Sequence, residues 1–495
     1  MKKKSVAVIG AGPGGLSAAM ILASKGYDVN VYEKEAIVGG RNGYFQLGKY
    51  RFDIGPTFLM MRNVLDEIFE ITGRNSEDYM EFTELDPMYR LAFGNGKTFF
   101  PTRNKESMKQ QLESLWPGSW DGYERYMKRE AKKYEKLIPC LQKPYGTIRE
   151  TLNPNLFLAT PYLDGHINLF KYLGKYFKHD DLKISFTFQA KYLGMSPWEC
   201  PATFSIISYL EHGFGIWHVK GGLNQMSQQM AKVLEEEGGK VHLNTQVKEI
   251  IVENGAAKGL ILSDGSEIRS DYVVINADFA HAMNNLIAPE HKRKYTPSHL
   301  SNMKYSCSTW MMYLGVDKLY DVPHHNIIFS PDYKKNVDEI TKSMTISPEP
   351  SIYIQNAAIT DPTLAPKGHS TIYILVPAPN NKSGINWADY ESDFREKILD
   401  IAEQRGGLPD LRRHIVTEKL FTPNDWEDQM AVYRGATFNL AHNIGQMLYF
   451  RPHNKFEEFE NCYLVGGGTH PGSGIPTILE SGKLSASMIL KRDFT

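Results

Sequence analysis

Six residues near the start, Gly10-Ala-Gly12-Pro-Gly-Gly15, constrain this 495-residue chain more than any other segment. They follow Ser5 to Ile9, a short β-branched apolar run suited to a buried parallel strand. An alanine-rich stretch, Leu16 to Lys25, reads as a helix stopped by Gly26, and Val29 to Tyr32 reads as the next strand, ending at Glu33. A glycine cluster alone marks turns in many folds. Flanked by strand, helix, strand and a terminal acid, it specifies a βαβ dinucleotide-binding unit. Gly10 is expected to make the tight turn and Gly12 to let backbone N–H groups approach a pyrophosphate at the helix start. Gly15 would let helix pack on strand. Glu33 stands where a carboxylate accepts hydrogen bonds from ribose hydroxyls, and its charge would repel a 2′-phosphate.

The residues that follow favour FAD over NAD. Val38-Gly39-Gly40-Arg41 and Phe52-Asp53-Ile-Gly55-Pro56-Thr57 supply more approachable backbone, and Arg41 can meet phosphate oxygens with two parallel N–H groups. Further along, Gly221-Gly222 opens a helix with Leu223, Met226, Met230, Val233 and Leu234 at helical spacing, where the methionines read as core. Short strands over 240–243, 247–252, 259–262 and 268–275 follow, with Asn254-Gly255 and Asp264-Gly265 turns that signal hairpins. Near the end, Asn461 to Val465 is a strand running into Gly466-Gly467-Gly468-Thr469-His470-Pro471-Gly472-Ser473-Gly474-Ile475-Pro476, with a helix from Thr477 to about Leu490. Such a helix start favours negative charge developing on the edge of a flavin ring.

Composition narrows the classes. Apolar residues make up 42% and charged ones 23%, which permits a large core. A net charge of −1 leaves no field to draw in nucleic acid. Cys140, Cys200, Cys307 and Cys462 form no CxxC pair, so neither a metal nor a disulfide framework is expected, and a reducing cytoplasm is the simplest compartment. Lys2 to Lys4 resemble the start of a secretory signal, but glycines interrupt the apolar run behind them. No stretch of about 20 apolar residues suggests a membrane-spanning helix.

These motifs resemble the bacterial phytoene desaturase family of the flavin amine oxidase-like superfamily, over almost the whole length. The landmarks are Val8 to Gly12, Gly39-Gly40-Arg41, Phe52 to Pro56, Gly213 to Gly222, Asn276-Ala277-Asp278, Tyr305 to Ser308, His325 to Phe329, Phe421 to Trp426 and Gly468 to Pro476. The resemblance is nearest to the C30 branch acting on dehydrosqualene (4,4′-diapophytoene). It implies an α/β fold: a Rossmann-like FAD-binding domain from residues 1–65, 215–290 and 435–495, and an α+β substrate domain with a helical cap from 66–214 and 291–434. It also implies FAD, a hydrophobic polyene substrate, and desaturation toward 4,4′-diaponeurosporene. Carried over by position, Gly10, Gly12, Gly15 and Glu33 would hold the ADP part, Gly40, Arg41, Gly55 and Pro56 would lie along the cofactor, and the Val247 main chain would meet adenine. Gly467, Gly468, Gly474, Ile475 and Pro476 would line the isoalloxazine. A C30 oxidase acting on the terminal methyl, a C40 phytoene desaturase, an amine or protoporphyrinogen oxidase, and a flavin-free prenyl-binding chaperone share this scaffold.

Desaturating an allylic CH2–CH2 unit needs hydride loss and proton loss. The intermediate cation is delocalised over the polyene, so no catalytic acid or base is assigned; His470 and Asp425 read as structural. Positioning in a dry apolar channel would supply most of the rate. Phe170, Tyr172, Tyr176, Phe177, Phe186, Phe188, Tyr192, Trp198 and Phe204 form the best stretch for its cap, some of them as core. A water-insoluble substrate implies collection from a bilayer surface. Over Leu169 to Lys178, Phe170, Leu173 and Phe177 fall on one helical face and Lys171, Lys175 and Lys178 on another, as in an interfacial helix.

Overall fold

A computed structural model describes residues 3–494. Ser5–Ile9 is the central strand of a five-stranded, all-parallel sheet. Tyr272–Ile275 and Asp28–Tyr32 flank it, with Cys462–Leu464 and Lys240–His242 at the edges. Chain segments more than 400 residues apart thus meet in one sheet, because Ser5–Ile9, Tyr272–Ile275 and Cys462–Leu464 are buried almost throughout and need cover on both faces.

On one face lie the helices Pro13–Ser24, Asn224–Glu236 and Ile475–Phe494. On the other lie the helix Phe279–Asn285 and an antiparallel meander of Val247–Glu253, Ala256–Leu262 and Glu267–Arg269. Its first turn places Asn254 at φ 52° and Gly255 at φ 73°, the left-handed pair that a two-residue hairpin requires. The first and last helices cross closely. The Ser17 hydroxyl donates to the Leu479 carbonyl at 3.0 Å, and a Cβ on Gly482 would stand 2.4 Å from the Gly14 carbonyl oxygen.

A second sheet has seven strands in the order Ile415–Phe421, Ser308–Val316, Ser370–Ala378, Ile352–Asn356, His325–Ile328, Arg90–Ala92, Thr98–Phe99. The strand period of two sorts its faces. Trp310, Met312, Leu314, Ile354, Ile372 and Ile374 point to a core closed by the helix Glu391–Gln404. The partners Met311, Leu375, Tyr353 and Ile327 form a row across the opposite face.

Helices Lys105–Leu115, Trp120–Leu141, Pro154–Leu163 and Ile206–Phe214 make up a helical cap. Within it the fully buried Lys133 ammonium lies 3.2 Å from Glu130, 3.3 Å from Asp164 and 2.8 Å from the Ser205 hydroxyl. The interfacial helix expected over Leu169 to Lys178 is corrected here. The helix ends at Leu173, and Leu169, Leu173 and Phe177 are buried, Phe177 stacking on Phe186. Core packing, not a bilayer, covers its apolar face. Exposed apolar side chains stand instead at Ile148, Leu152, Phe157 and Leu158, with Leu152 and Phe157 about four-fifths exposed (81% and 80%).

Candidate active site

The first and last glycine turns open on one long cavity that continues to the patterned face of the seven-stranded sheet. Gly10, Gly12, Glu33, Gly40, Arg41 and Val247 line its first part, with Gly55 and Pro56 further along. Gly467, Gly474, Ile475 and Pro476 bring the C-terminal turn to the same wall. Two expected positions stand behind it. A Cβ on Gly15 would lie 2.4 Å from the Gly10 carbonyl oxygen, so Gly15 serves the contact of helix with strand end. Gly468 faces away from the cavity: a Cβ there would lie 2.4 Å from Phe279 Cβ and 2.7 Å from Asn439 Oδ1.

Local geometry explains these placements. Gly10 has φ +93°, open only to glycine at low cost. The helix Pro13–Ser24 has no side-chain cap at Gly12, so the N–H groups of its first turn remain available to an anion. Glu33 is buried; one carboxylate oxygen accepts from the Ala11 N–H at 2.7 Å and the other from the Glu35 N–H at 3.0 Å. Burial, partly offset by those bonds, raises its pKa. Arg41 donates to the Thr437 carbonyl at 2.8 Å. Asp53 does not line the cavity; its carboxylate accepts from the N–H groups of Leu223 at 2.9 Å and Asn224 at 3.2 Å and seats the helix Asn224–Glu236.

Three further residues position the glycine turns, and sequence reading gives none of them a role in the site. Asn276 Nδ2 donates to the Gly10 carbonyl at 3.0 Å and packs against Gly10, Gly12 and Gly15. Its place after a buried strand, in Asn276-Ala277-Asp278, was the available signal. Arg451 is fully buried and donates to the carbonyls of Gly467 at 2.5 Å, Thr469 and Gln446 at 3.1 Å and Leu440 at 3.4 Å. Burial lowers its pKa to about 9. His442 Nε2 accepts from the Ser473 N–H at 3.0 Å. Arg451 and His442 shape the C-terminal glycine turn from behind.

At the far end, Thr309, Met311, Tyr353, Tyr373 and Leu375 form the sheet side of the wall. The Tyr373 hydroxyl donates to the Gly55 carbonyl at 2.8 Å, joining this sheet to the nucleotide side. Of the aromatic stretch expected to line a channel, Phe188 and Tyr192 reach the cavity; Tyr172, Phe177 and Phe186 are core. His470 and Asp425 stay off the wall. His470 pairs with the Lys143 carbonyl at 2.9 Å, and Asp425 caps the helix Pro423–Asp428 through Thr422.

The residues fit a flavin dinucleotide. A Cβ on Gly40, a lining residue, would meet nothing within 4 Å, and one on Gly474 would meet only Thr477 Oγ1, at 3.6 Å. Uncapped helix N–H groups and a guanidinium would suit phosphates, a buried acid would suit ribose, and the space between glycine turn and sheet would suit a flat ring. This arrangement defines an FAD-dependent oxidoreductase. The chain belongs to the flavin containing amine oxidoreductase family, whose model matches residues 13–490, and within it to the carotenoid desaturases. It is 49% identical over 489 residues to a 4,4′-diapophytoene desaturase (4,4′-diapolycopene-forming) of Methylomonas sp., covering 99% of this chain and 96% of the relative. It is 33% identical over 499 residues to the 4,4′-diaponeurosporene-forming enzyme of Staphylococcus aureus strain Newman, covering 98% of each. A solved oxidoreductase from Methanosarcina mazei shares the fold at a TM-score of 0.65 and 18% identity, covering 98% of this chain and 100% of its own.

Proposed function

We propose that this protein desaturates 4,4′-diapophytoene, a linear C30 polyene precursor, in carotenoid biosynthesis. The observation that carries the reading is end-to-end similarity, 49% identity over 99% of the chain, to an enzyme named for that reaction. The apolar sheet face opposite the glycine turns supports it, because a hydrocarbon offers nothing to a polar wall. Bound FAD supplies the hydride acceptor. The chain's own residues orient and desolvate. Gly10, Gly12 and Glu33 hold the ADP part and Arg41 the pyrophosphate. Gly467, Gly474, Ile475 and Pro476 line the ring, and the helix start at Ile475 favours negative charge beside it. Met311, Leu375 and Tyr353 hold the polyene against the ring and keep water out, so that positioning supplies much of the rate.

In this reading residues 1–65, 215–290 and 435–495 form the cofactor domain, and 66–214 with 291–434 form the substrate domain. No helix among the described residues is long and apolar enough to cross a membrane. A water-insoluble polyene is collected at a bilayer surface, in this reading through the exposed apolar side chains between Ile148 and Leu158, with Arg149 among them to meet anionic headgroups. Replacing Leu152 and Phe157 together by Asp is expected to abolish sedimentation with anionic liposomes; undiminished sedimentation removes this part of the reading.

The decisive experiment is expression in a host that accumulates 4,4′-diapophytoene. Coloured products lighter by successive pairs of hydrogens are expected. A product heavier by oxygen would point to the terminal-methyl oxidase, and turnover of phytoene in its place to a C40 enzyme.

A further inference from the structure

At the sheet side of the cavity stands a set of side chains whose hydroxyl groups and ring nitrogens the reaction above leaves unused. His325 pairs with Gln355 and Ile327 with Tyr353 across two antiparallel strands, so Tyr353 and His325 share one sheet face as diagonal neighbours. Tyr353 lines the cavity. Its hydroxyl lies 2.7 Å from His325 Nδ1 and 2.7 Å from Thr57 Oγ1, and Thr57 directly follows the wall residues Gly55 and Pro56. Phe58 packs edge-on against His325, ring centroids 4.9 Å apart. His325 is 1% exposed, and its Nε2 has no hydrogen-bond partner among the described residues. A second imidazole, His324, contacts it at 4.5 Å between centroids. His218 lies 4.8 Å from His324 and is hydrogen-bonded to the Asp361 carboxylate at 3.0 Å. Three buried imidazoles backed by a carboxylate are expensive as mere packing, since the unpaired ring nitrogens of His324 and His325 carry an uncompensated desolvation cost.

We propose that the Tyr353 hydroxyl, backed by His325, receives the proton that the substrate loses on desaturation. The inference rests on the desaturase reading. One allylic C–H bond breaks with both electrons, which leave as hydride to the bound cofactor. The neighbouring C–H bond breaks the other way: its electron pair becomes the new π bond and its proton moves to the Tyr353 oxygen, while the phenolic proton passes to His325 Nδ1. A phenol alone is a poor base. Hydrogen-bonded to a bare imidazole nitrogen, it accepts one proton while giving up another. Burial keeps His325 neutral, with a ring nitrogen free to accept. An allylic cation is acidic enough to protonate even an imidazole weakened in this way. Thr57 Oγ1 donates to the phenolic oxygen and leaves its other lone pair for the incoming proton, and Asp361 closes the row of imidazoles at His218.

The test compares wild type with Tyr353→Phe and His325→Asn, each loaded with FAD and mixed anaerobically with substrate carrying deuterium on either carbon of the reacting pair. Flavin bleaching is expected to slow roughly 100-fold in both variants with substrate affinity little changed. Deuterium on the proton-losing carbon, silent in wild type, is expected to slow the variants further. In flavin-free, 15N-histidine-labelled wild type, the His325 Nδ1 resonance is expected to be that of an unprotonated acceptor and to shift in Tyr353→Phe. Wild-type bleaching by Tyr353→Phe, slowing without the isotope effect, or a protonated His325 Nδ1 would overturn the proposal. A wild type whose flavin the substrate fails to bleach would overturn the desaturase reading instead.

Discussion

The carboxylate of Glu33, at the end of the second strand, accepts a hydrogen bond at 2.7 Å from the backbone N–H of Ala11, inside the first glycine turn. The acid expected to meet ribose therefore also braces the loop that meets phosphate. Replacing Glu33 by Ala removes both services and leaves the Ala11 N–H buried without its partner, a cost of about 1–3 kcal/mol before any loss of ligand contact. The expected outcome is FAD affinity lowered at least tenfold, read by fluorescence titration of the flavin-free protein. Glu33→Gln, which keeps one acceptor oxygen, should fall between the two.

Gly482 lies where the last helix crosses the first, with no room for a methyl group beside the Gly14 carbonyl. Gly482→Ala must push the helices apart and with them the two glycine turns. A destabilisation of about 1–3 kcal/mol is expected from overpacking, read as a lower urea midpoint at unchanged slope, together with weaker flavin retention.

Arg451 holds the C-terminal turn open from behind by donating to four carbonyl groups, and no carboxylate among the described residues pairs with it. Arg451→Met fills similar space but leaves those oxygens unpaired. The variant is expected to purify colourless or nearly so while retaining its far-UV circular dichroism; full flavin content would contradict this account of the turn.

Glu211 is buried in the cap, accepting from the Tyr89 hydroxyl at 2.9 Å and from Gln189 Nε2 at 2.7 Å. Burial raises its pKa to about 7. A carboxyl raised on folding contributes its full stability below the unfolded pKa and loses it as pH rises through the folded one. The wild type should therefore lose stability between about pH 4.5 and pH 7, by roughly 3 kcal/mol at 1.36 kcal/mol per pKa unit. Glu211→Gln should lack this loss, so its melting temperature relative to wild type should climb from pH 5 to pH 8. A difference that stays constant across that range would refute the assignment.

Much of this was legible in the linear chain. The βαβ unit, its acid, the Asn254-Gly255 hairpin and the strand-turn-helix near the C-terminus declare themselves through local spacing, because turn geometry and strand periodicity act over a few residues. Gly10, Arg41 and Ile475 could accordingly be named as cofactor candidates. What spacing cannot convey is which remote residues share a wall. The aromatics between Phe170 and Phe204 look alike in composition, yet only Phe188 and Tyr192 among those expected reach the cavity, and the apolar face around Phe177 closes on core. Gly468 sits inside a glycine run and points away from the cavity. Asn276 and Arg451 act on glycine turns far from them in sequence, and Tyr353 meets His325 through strand register. Such contacts are chosen by burial across the whole molecule: an apolar or polar side chain takes whatever partner the packed sheets and helices bring to it.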